Sequence, residues 1–572
     1  MTNSFEQAIA ASVAALGTLT ESEVLALLAI PQDPSHGDFS LPCFTLAKLL
    51  RKAPKAIAEN LATQVVLPPG FAKVVPVNGY LNFYIDRAFL MQQVLGEITT
   101  KGTQFGHYPR RGERVVIDYS SPNIGKELAF HHIRSTMIGS SLSRIYHAFG
   151  YDVVRINHLG DWGTQFGKLI TMYLREGLPT DPASLATLEI KDLNQLYASF
   201  SKVAKENPEL EDEARAAFTR LENGDPFHRT LWTAFKNATL KELDRLYTQM
   251  GVVFDHYTGE SFFEPQIPAV LAELESKKLL VSSQEREVVL LDDLDLPPCL
   301  IRKSDGSTLY ATRDLAAALH RMREYQFAKC LYVVDQGQAL HFKQVFATLA
   351  KMGYDWSNRL VHIPFGLILH LNEEGKWEKG KTRSGHSSLL RDVLEAAKEK
   401  IITTIREKNP DLENADSVAT QIAVSALAFN DLKNRRLMDV KFDWDAALSF
   451  EGATGPYIQN AHVRLCSIGR KAGYVAEASQ VDWSFLTDDH SYELVRILTR
   501  KSEKIRQACE NDEPAILAQY SLEIAEAAHR FIHHNRVLGT EQERSRLFLV
   551  QCTQIVLEDV LQLLGVFPIR AM

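Results

Sequence analysis

The sequence predicts a multi-domain α/β protein: a small α+β unit, a doubly wound parallel-sheet domain, and an all-helical C-terminal domain. Three observations carry this. The chain has 572 residues, too many for one ordinary core, so about two to four domains are expected. From residue 113 onward, short apolar runs alternate with helical patterns, the rhythm of strand–helix–strand units. Beyond about residue 395 the strand signals stop, and apolar residues recur at helical spacing, as at Leu494, Ile497, Leu498 and Ile505.

Residues 1–108 read as the α+β unit. Helical patterns lie near 5–15, 21–29 and 42–65, the last after the turn-like PQDPSHGDF. AKVVPVNGYLNFYID is strand-rich, and its Asn78-Gly79 suits a tight turn. TTKGTQFGHYPRRGE, rich in Gly, Pro and charge, reads as a linker. Residues 109–395 form the sheet domain, with VVIDY, DVVRIN, EVVLLDD, CLYVVD and VHIPFGLIL as its strands. A charged helical stretch at about 168–255 reads as an insertion between sheet halves. Residues 396–572 form the helical domain, with helices at 391–407, 416–432, 454–472, 490–509, 513–534 and 541–564.

Composition is that of a soluble globular protein. No run of about eighteen apolar residues is present, so no membrane span is expected. The N-terminus lacks the basic start and apolar core of a signal peptide. The six cysteines are scattered without a C-x-x-C pair, which argues against a zinc site and a disulfide framework and for a cytoplasmic location. Net charge is −8, which argues weakly against nucleic acid unless local basic patches act on an acidic body. Three such patches are Arg51-Lys52-Lys55, the stretch Lys101 to Arg114 with Arg110 and Arg111, and Lys433-Arg435-Arg436.

Residues 115–167 concentrate chemistry. VVIDYSSPN runs into a loop ending at Gly125-Lys126, then a helix from about Phe130 to Phe149, then YDVVRINH and GDWGTQFG. Ligands of open parallel sheets bind at the strands' carboxyl ends, and a helix N-terminus there offers N–H groups to an anion. Asn123, Lys126, His131, His132, Arg134 and His158 gather at this crevice, which points to phosphate chemistry. The loop is not a P-loop, because G-x-x-x-x-G-K-[ST] is missing. His131 and His132 point about 100° apart on a helix, so one is expected to face the crevice while the other packs. Lys381 to Gly385, a cationic Gly-containing loop, suits stabilisation of charge on a triphosphate. Tyr310 and Asp314 share a helix face at i, i+4, and Glu260 with Asp314 suits a cationic substrate, since guanidinium matches paired carboxylates.

These segments, taken together, resemble the arginyl-tRNA synthetases, class I enzymes. DYSSPNIGKELAFHHIRSTMIG, NHLGDWGTQFG, GES, SDGSTLYATRD, VVDQGQALHF and KTRSG occur in the family's order, followed by NDLKNRRLMDVKFDWD, EGATGPYIQNAHVRLCSI and LLGVFPIRAM. The resemblance implies a tRNA-elbow domain at 1–108, a Rossmann catalytic domain at 109–395 and an anticodon-binding domain at 396–572. It implies ATP-dependent activation of L-arginine to arginyl-adenylate, then transfer to the 3′ end of tRNA(Arg), with activation itself needing bound tRNA. ATP enters as a substrate, as Mg-ATP; no structural metal is expected, and the chain is expected to be monomeric.

Asn123, Glu260, Tyr310, Asp314 and Gln338 match arginine-binding positions. Ser121, His158, Gly160, Asp161, Trp162 and Gln165 match the ATP and active-site loops. Lys381, Arg383 and Ser384 stand in the KMSKS-like loop, and Lys126 matches the lysine thought to replace that loop's second lysine. The family's first motif, H-[VA]-G-H-L-R-S-T, is Ala129-Phe130-His131-His132-Ile-Arg-Ser-Thr here. The second histidine is kept as His132, whereas His131 replaces a glycine against which adenine normally lies. Asn460 replaces a common tyrosine. Two rival readings follow from the variant motif: a paralogue passing activated arginine to another acceptor, and a non-catalytic tRNA-binding protein.

Overall fold

The computed structural model describes residues 2–31, 33–283, 286–303, 309–371, 376–378 and 389–572. The N-terminal unit opens with helices Thr2–Ala14 and Glu21–Leu27. Its antiparallel sheet has the order β1-β3-β2, from β1 (Phe39–Pro42), β2 (Phe71–Val77) and β3 (Tyr80–Ile85). Asn78 and Gly79 join β2 to β3 with φ 50° and 86°, the paired positive values that a two-residue hairpin favours. The stretch expected as one helix at 42–65 differs. Phe39–Pro42 is a strand, and helices Leu46–Leu50 and Pro54–Gln64 follow, broken at Arg51, whose φ is 49°.

The catalytic-type sheet is wholly parallel. It contains β4 (Arg114–Asp118), β5 (Asp152–Asn157), β6 (His256–Tyr257), β10 (Lys329–Asp335) and β11 (Leu360–Phe365), in the order β11-β10-β4-β5-β6. The chain therefore winds outward one way from β4 and then the other, which makes β4/β10 the topological switch point. Burial fits: Val115, Val116 and Ile117 of β4 are fully covered on both faces.

Two expected strands go elsewhere. EVVLLDD supplies β8 (Arg286–Val289), which pairs antiparallel with β7 (Leu280–Ser283) and β9 (Cys299–Arg302) in a separate sheet. A two-residue connection from β7 to β8 permits only an antiparallel pair, because parallel neighbours need a crossover. VHIPFGLIL splits at Gly366 into β11 and β12 (Ile368–Leu371), and β12 joins a small sheet with β13 (Trp377–Glu378) and β14 (Val440–Lys441). Between β5 and β6 the chain is helical, as expected, ending in the long helix Pro226–Met250.

The C-terminal part is a helical bundle. The helix expected at 490–509 breaks at Arg500 into Asp489–Thr499 and Lys501–Glu510. Lys501 turns inward, fully buried, onto Asp559 at 2.7 Å and the Thr103 carbonyl at 3.1 Å. The helix Glu543–Leu564 is long and apolar enough to cross a bilayer, but it is mostly buried by the surrounding helices. The N-terminal unit docks on the bundle through Arg87–Asp489 (2.9 Å) and a Tyr492–Asp38 hydrogen bond.

Candidate active site

The site lies where β4 and β10 end. Immediately after β4 the backbone turns through Ser120 and Ser121, with φ 69° and 48°, a region costly for residues bearing a Cβ. Side chains hold this turn. The Ser120 N–H donates to Ser135 Oγ (2.9 Å), and that hydroxyl donates to the Val333 carbonyl (2.8 Å), bridging the switch point. Ser120 Oγ meets Thr136 Oγ1 and Tyr247 Oη at 2.8 and 2.7 Å. Ser121 N–H donates to Asn157 Oδ1 (3.1 Å), and its hydroxyl donates to Asp118 Oδ1 (2.9 Å). Asp118 is buried and paired with buried Arg321 at 2.7 Å. The hydroxyl of Ser121, matched to the ATP loop, is therefore committed to the floor of the site.

The next residues cross to the loop after β5. Ile124 N–H donates to the Gly160 carbonyl, and Gly160 N–H to the Pro122 carbonyl, both at 3.0 Å. Gly160 leaves room for the Asn123 side chain: a Cβ there would lie 2.1 Å from Asn123 Oδ1 and push it aside. Asn123 and Lys126 are exposed at the mouth, and Lys126 Nζ lies 5.0 Å from the Tyr197 ring.

The helix His132–Ala148 begins here. Its first N–H groups are not free for an anion, contrary to the sequence expectation. His132, Ile133 and Arg134 donate back to the carbonyls of Ala129, Phe130 and His131 at 3.0, 3.0 and 3.3 Å. The two histidines also depart from expectation: rather than diverging, their rings stack at 4.2 Å with 29° between planes. His132 Nδ1 lies 3.0 Å from both the N–H and the carbonyl oxygen of Ala129, so that one residue anchors this edge of the ring whichever tautomer is present. Burial, and then the charge of His131, push His132 down to about 4, against a smaller opposing pull from Ala129. His132 is thus neutral at pH 7.

Arg134 leaves the crevice. Its guanidinium is buried against Asp431 at 2.7 Å and donates to the carbonyls of Met438 and Arg436 at 2.9 and 3.2 Å. Burial pushes Asp431 up to about 6, with Arg134 pulling the other way. The pair ties the start of the His132 helix to the helix Ala415–Leu432.

The loop after β6 and the helix before β10 carry an acidic group. Asp161 is fully buried and does not face the crevice. It accepts from Lys236 Nζ (2.6 Å), Ser261 N–H (2.8 Å) and Ser261 Oγ (2.7 Å), which fixes the turn carrying Glu260. Trp162 is likewise buried, packed edge-on against Phe218 and Trp232. Gln165 donates to the Gly160 carbonyl at 3.2 Å. His158 stacks on Phe263 at 5.7 Å.

Glu260 is 9% exposed, and among the described residues its carboxylate has no hydrogen-bond donor. Burial raises it to about 7; Arg313 pulls it down and Asp314 pushes it up. Arg313 itself is paired to Glu264. Asp314 meets His341 Nε2 at 2.6 Å. Tyr310 begins the helix Tyr310–Tyr325 as expected and is 66% exposed. Gln338 is exposed at the start of the helix Ala339–Lys351.

Lys381, Arg383 and Ser384 lie outside the described residues. The chain that follows them does not: Leu389 bridges to Ala129, and Leu390 N–H donates to the Leu128 carbonyl at 2.8 Å. Residues not singled out from sequence include His341, Lys236, Ser261, Asp118 and Arg321. His341 stands within the segment VVDQGQALHF, three residues after Gln338, and that spacing is the signal that could have found it. Among the described residues, no group of three or more His, Cys, Asp or Glu side chains is placed to hold a metal.

Of the basic patches, Arg51, Lys52 and Lys55 are exposed. Arg110 and Arg111 are engaged with His147 and with the Phe149 carbonyl, and Arg436 with the carbonyls of Asp512 and Pro364.

Family models match along most of the chain. The class I tRNA synthetase (R) catalytic domain matches residues 94–444, the arginyl tRNA synthetase N terminal domain 3–85, and the DALR anticodon binding domain 458–572. An arginine–tRNA ligase of Alkaliphilus metalliredigens is 43% identical over 558 residues, 96% of this chain and 97% of that one. One from Enterococcus faecalis is 44% identical, covering 96% of each. The Thermus thermophilus arginyl-tRNA synthetase structure superposes with a TM-score of 0.76 at 26% identity, covering 100% of both chains. The arginyl-tRNA synthetase of Plasmodium falciparum gives 0.75 at 25% identity, covering 95% and 94%. The chain belongs to the arginyl-tRNA synthetase family of class I aminoacyl-tRNA synthetases.

Proposed function

We propose that this enzyme is an arginine–tRNA ligase whose variant first motif remains competent. The observation that supports this reading is that an acidic group and a phosphate-suited group of side chains both stand at the carboxyl end of one parallel sheet. Glu260 and Asp314 form the acidic pocket, and His132 and Lys126 belong to the phosphate-suited group. A guanidinium and a triphosphate are the two ligands such a crevice suits.

In the first step an arginine carboxylate oxygen attacks the α-phosphorus of ATP, and the bond to pyrophosphate breaks. Negative charge builds on the α-phosphate oxygens. His132 Nε2 donates to one, and Lys126, Lys381 and Arg383 supply the compensating charge. His131, stacked on His132, stands in for the imidazole lost at Ala129. Ser384 orients the loop, and Asn123, Tyr310 and Gln338 receive the arginine backbone and side chain. In the second step a ribose hydroxyl at the 3′ end of tRNA(Arg) attacks the arginyl carbonyl, and AMP leaves. Mg²⁺ enters with ATP as part of the substrate. The N-terminal unit, with Arg51, Lys52 and Lys55, meets the tRNA elbow, and the C-terminal helices meet the anticodon. The enzyme acts as a single chain in the cytoplasm.

Charging of tRNA(Arg) with labelled arginine, with lysine as control, tests this. Arginine-specific charging is expected. Arginyl-adenylate formed without charging would favour the paralogue, and tight tRNA binding with neither activity would favour the non-catalytic reading.

A further inference from the structure

Two carboxylates line the acidic pocket, and they are not equivalent. Glu260 has no hydrogen-bond donor among the described residues, whereas Asp314 Oδ2 lies 2.6 Å from His341 Nε2. Both members of that pair are partly covered, with side chains 25% and 21% exposed. The placement of His341 is built, not incidental. Its neighbour Phe342 is buried and stacks on His362 at 4.8 Å with 24° between planes. Phe342 also packs on Tyr332 and Phe346 at 5.1 and 5.8 Å, which fixes the first turn of the helix Ala339–Lys351. With Phe342 inward, His341 is turned to the helix Tyr310–Tyr325 and meets Asp314. Arg313, the cation that acts on Glu260, is taken by Glu264. His341 is therefore the group that orients Asp314.

We propose that His341 is a positioning and specificity-determining residue for arginine: by donating to Asp314 Oδ2 it turns Oδ1 toward the guanidinium. This rests on the reading of Asp314 as an arginine ligand. An ionised carboxylate only accepts hydrogen bonds, so Nε2 is the donor. One oxygen is thereby occupied and the carboxylate plane fixed. The free oxygen then faces a substrate N–H from a single direction. A guanidinium supplies that donor. Citrulline, nearly isosteric, has a urea that can present its carbonyl oxygen to the same place, where it would face a fixed acceptor with no proton between them. A carboxylate free to rotate would still offer only acceptors, but it would hold the guanidinium in poorer alignment, so the advantage of arginine over citrulline would shrink.

The test uses the full-length enzyme with tRNA, in arginine-dependent ATP–pyrophosphate exchange. His341→Ala is expected to raise the arginine KM about tenfold, the loss of a hydrogen bond to a charged group, with kcat changed less than about twofold. The preference for arginine over citrulline should fall in parallel. His341→Gln, whose amide nitrogen reaches where Nε2 stood, should restore both. The KM for ATP serves as a control and should not move. Asp314→Ala separates the two layers of argument. If it leaves the arginine KM unchanged, the pocket reading fails and this inference falls with it. If it raises the KM while His341→Ala does not, the inference alone is overturned. A fall in kcat with unchanged arginine KM in His341→Ala, unrelieved in His341→Gln, would also overturn it.

Discussion

Glu260 offers the sharpest prediction, because one buried carboxylate links pH, substrate and stability. Burial, opposed by Arg313 and reinforced by Asp314, raises it from 4.5 to about 7. In the empty pocket it is therefore mostly protonated at pH 6 and mostly ionised at pH 8. Arginine, cationic throughout, binds the ionised form. The ionised fraction rises from about one tenth to about nine tenths over that interval, so the arginine dissociation constant should fall about tenfold from pH 6 to pH 8. Binding at pH 6 should release close to one proton, seen by calorimetry in buffers of different ionisation enthalpy. Stability runs the other way. A carboxyl whose folded pKa is raised stabilises fully below its unfolded value, and that contribution is lost as pH rises through about 7. The rise from 4.5 to about 7 amounts to on the order of 3 kcal/mol at pH 8. Glu260→Gln should thus raise the melting temperature of the ligand-free enzyme at pH 8, leave it unchanged at pH 4, and weaken arginine binding at pH 8. An arginine affinity flat from pH 6 to pH 8, with no buffer-dependent heat, would refute the reasoning.

Other expectations follow from the same geometry. His132→Ala should cut exchange turnover by about 10²-fold or more while leaving tRNA affinity near its parent value by filter binding. His131→Gly restores the family's open space; lower turnover is expected, because His131 supplies the missing imidazole, and higher turnover would show that it only crowds the site. Gly160→Ala should displace Asn123, because the new Cβ would sit 2.1 Å from its Oδ1, and steady-state kinetics should show a raised arginine KM. Asp431→Ala would leave Arg134 buried without its carboxylate and should cost about 3–5 kcal/mol in denaturant unfolding.

Much of the fold was legible because periodicity reports burial. The middles of β4 and β10 are short, continuous apolar runs, as strands covered on both faces must be, whereas β5, with Asp152 and Arg155, is only partly covered. The same signal cannot say which sheet a strand joins. EVVLLDD is apolar because Val288, Val289 and Leu291 are buried, but they are buried in an antiparallel sheet. The break at Arg500 was hidden because apolar positions continue on both sides while Lys501 turns inward to Asp559. At the site, motifs identified positions but not their orientation. Arg134 and Asp161 lie within motif stretches, yet both are buried in ion pairs beneath the crevice. Their partners, Asp431 and Lys236, are 297 and 75 residues away, and no local pattern encodes that distance. The stacking of His131 on His132 is not legible in sequence because the backbone, already αR at His131, sets the Cβ directions but not the side-chain torsions that bring the rings together.

The central claim is that the two groups of side chains act together on arginine and ATP despite the altered first motif. Arginine-dependent ATP–pyrophosphate exchange, measured with and without tRNA(Arg), addresses it most directly. Robust exchange with the cognate tRNA present, lost in His132→Ala and in Asp314→Ala, is the predicted result. No exchange by the parent enzyme with cognate tRNA present would contradict the account.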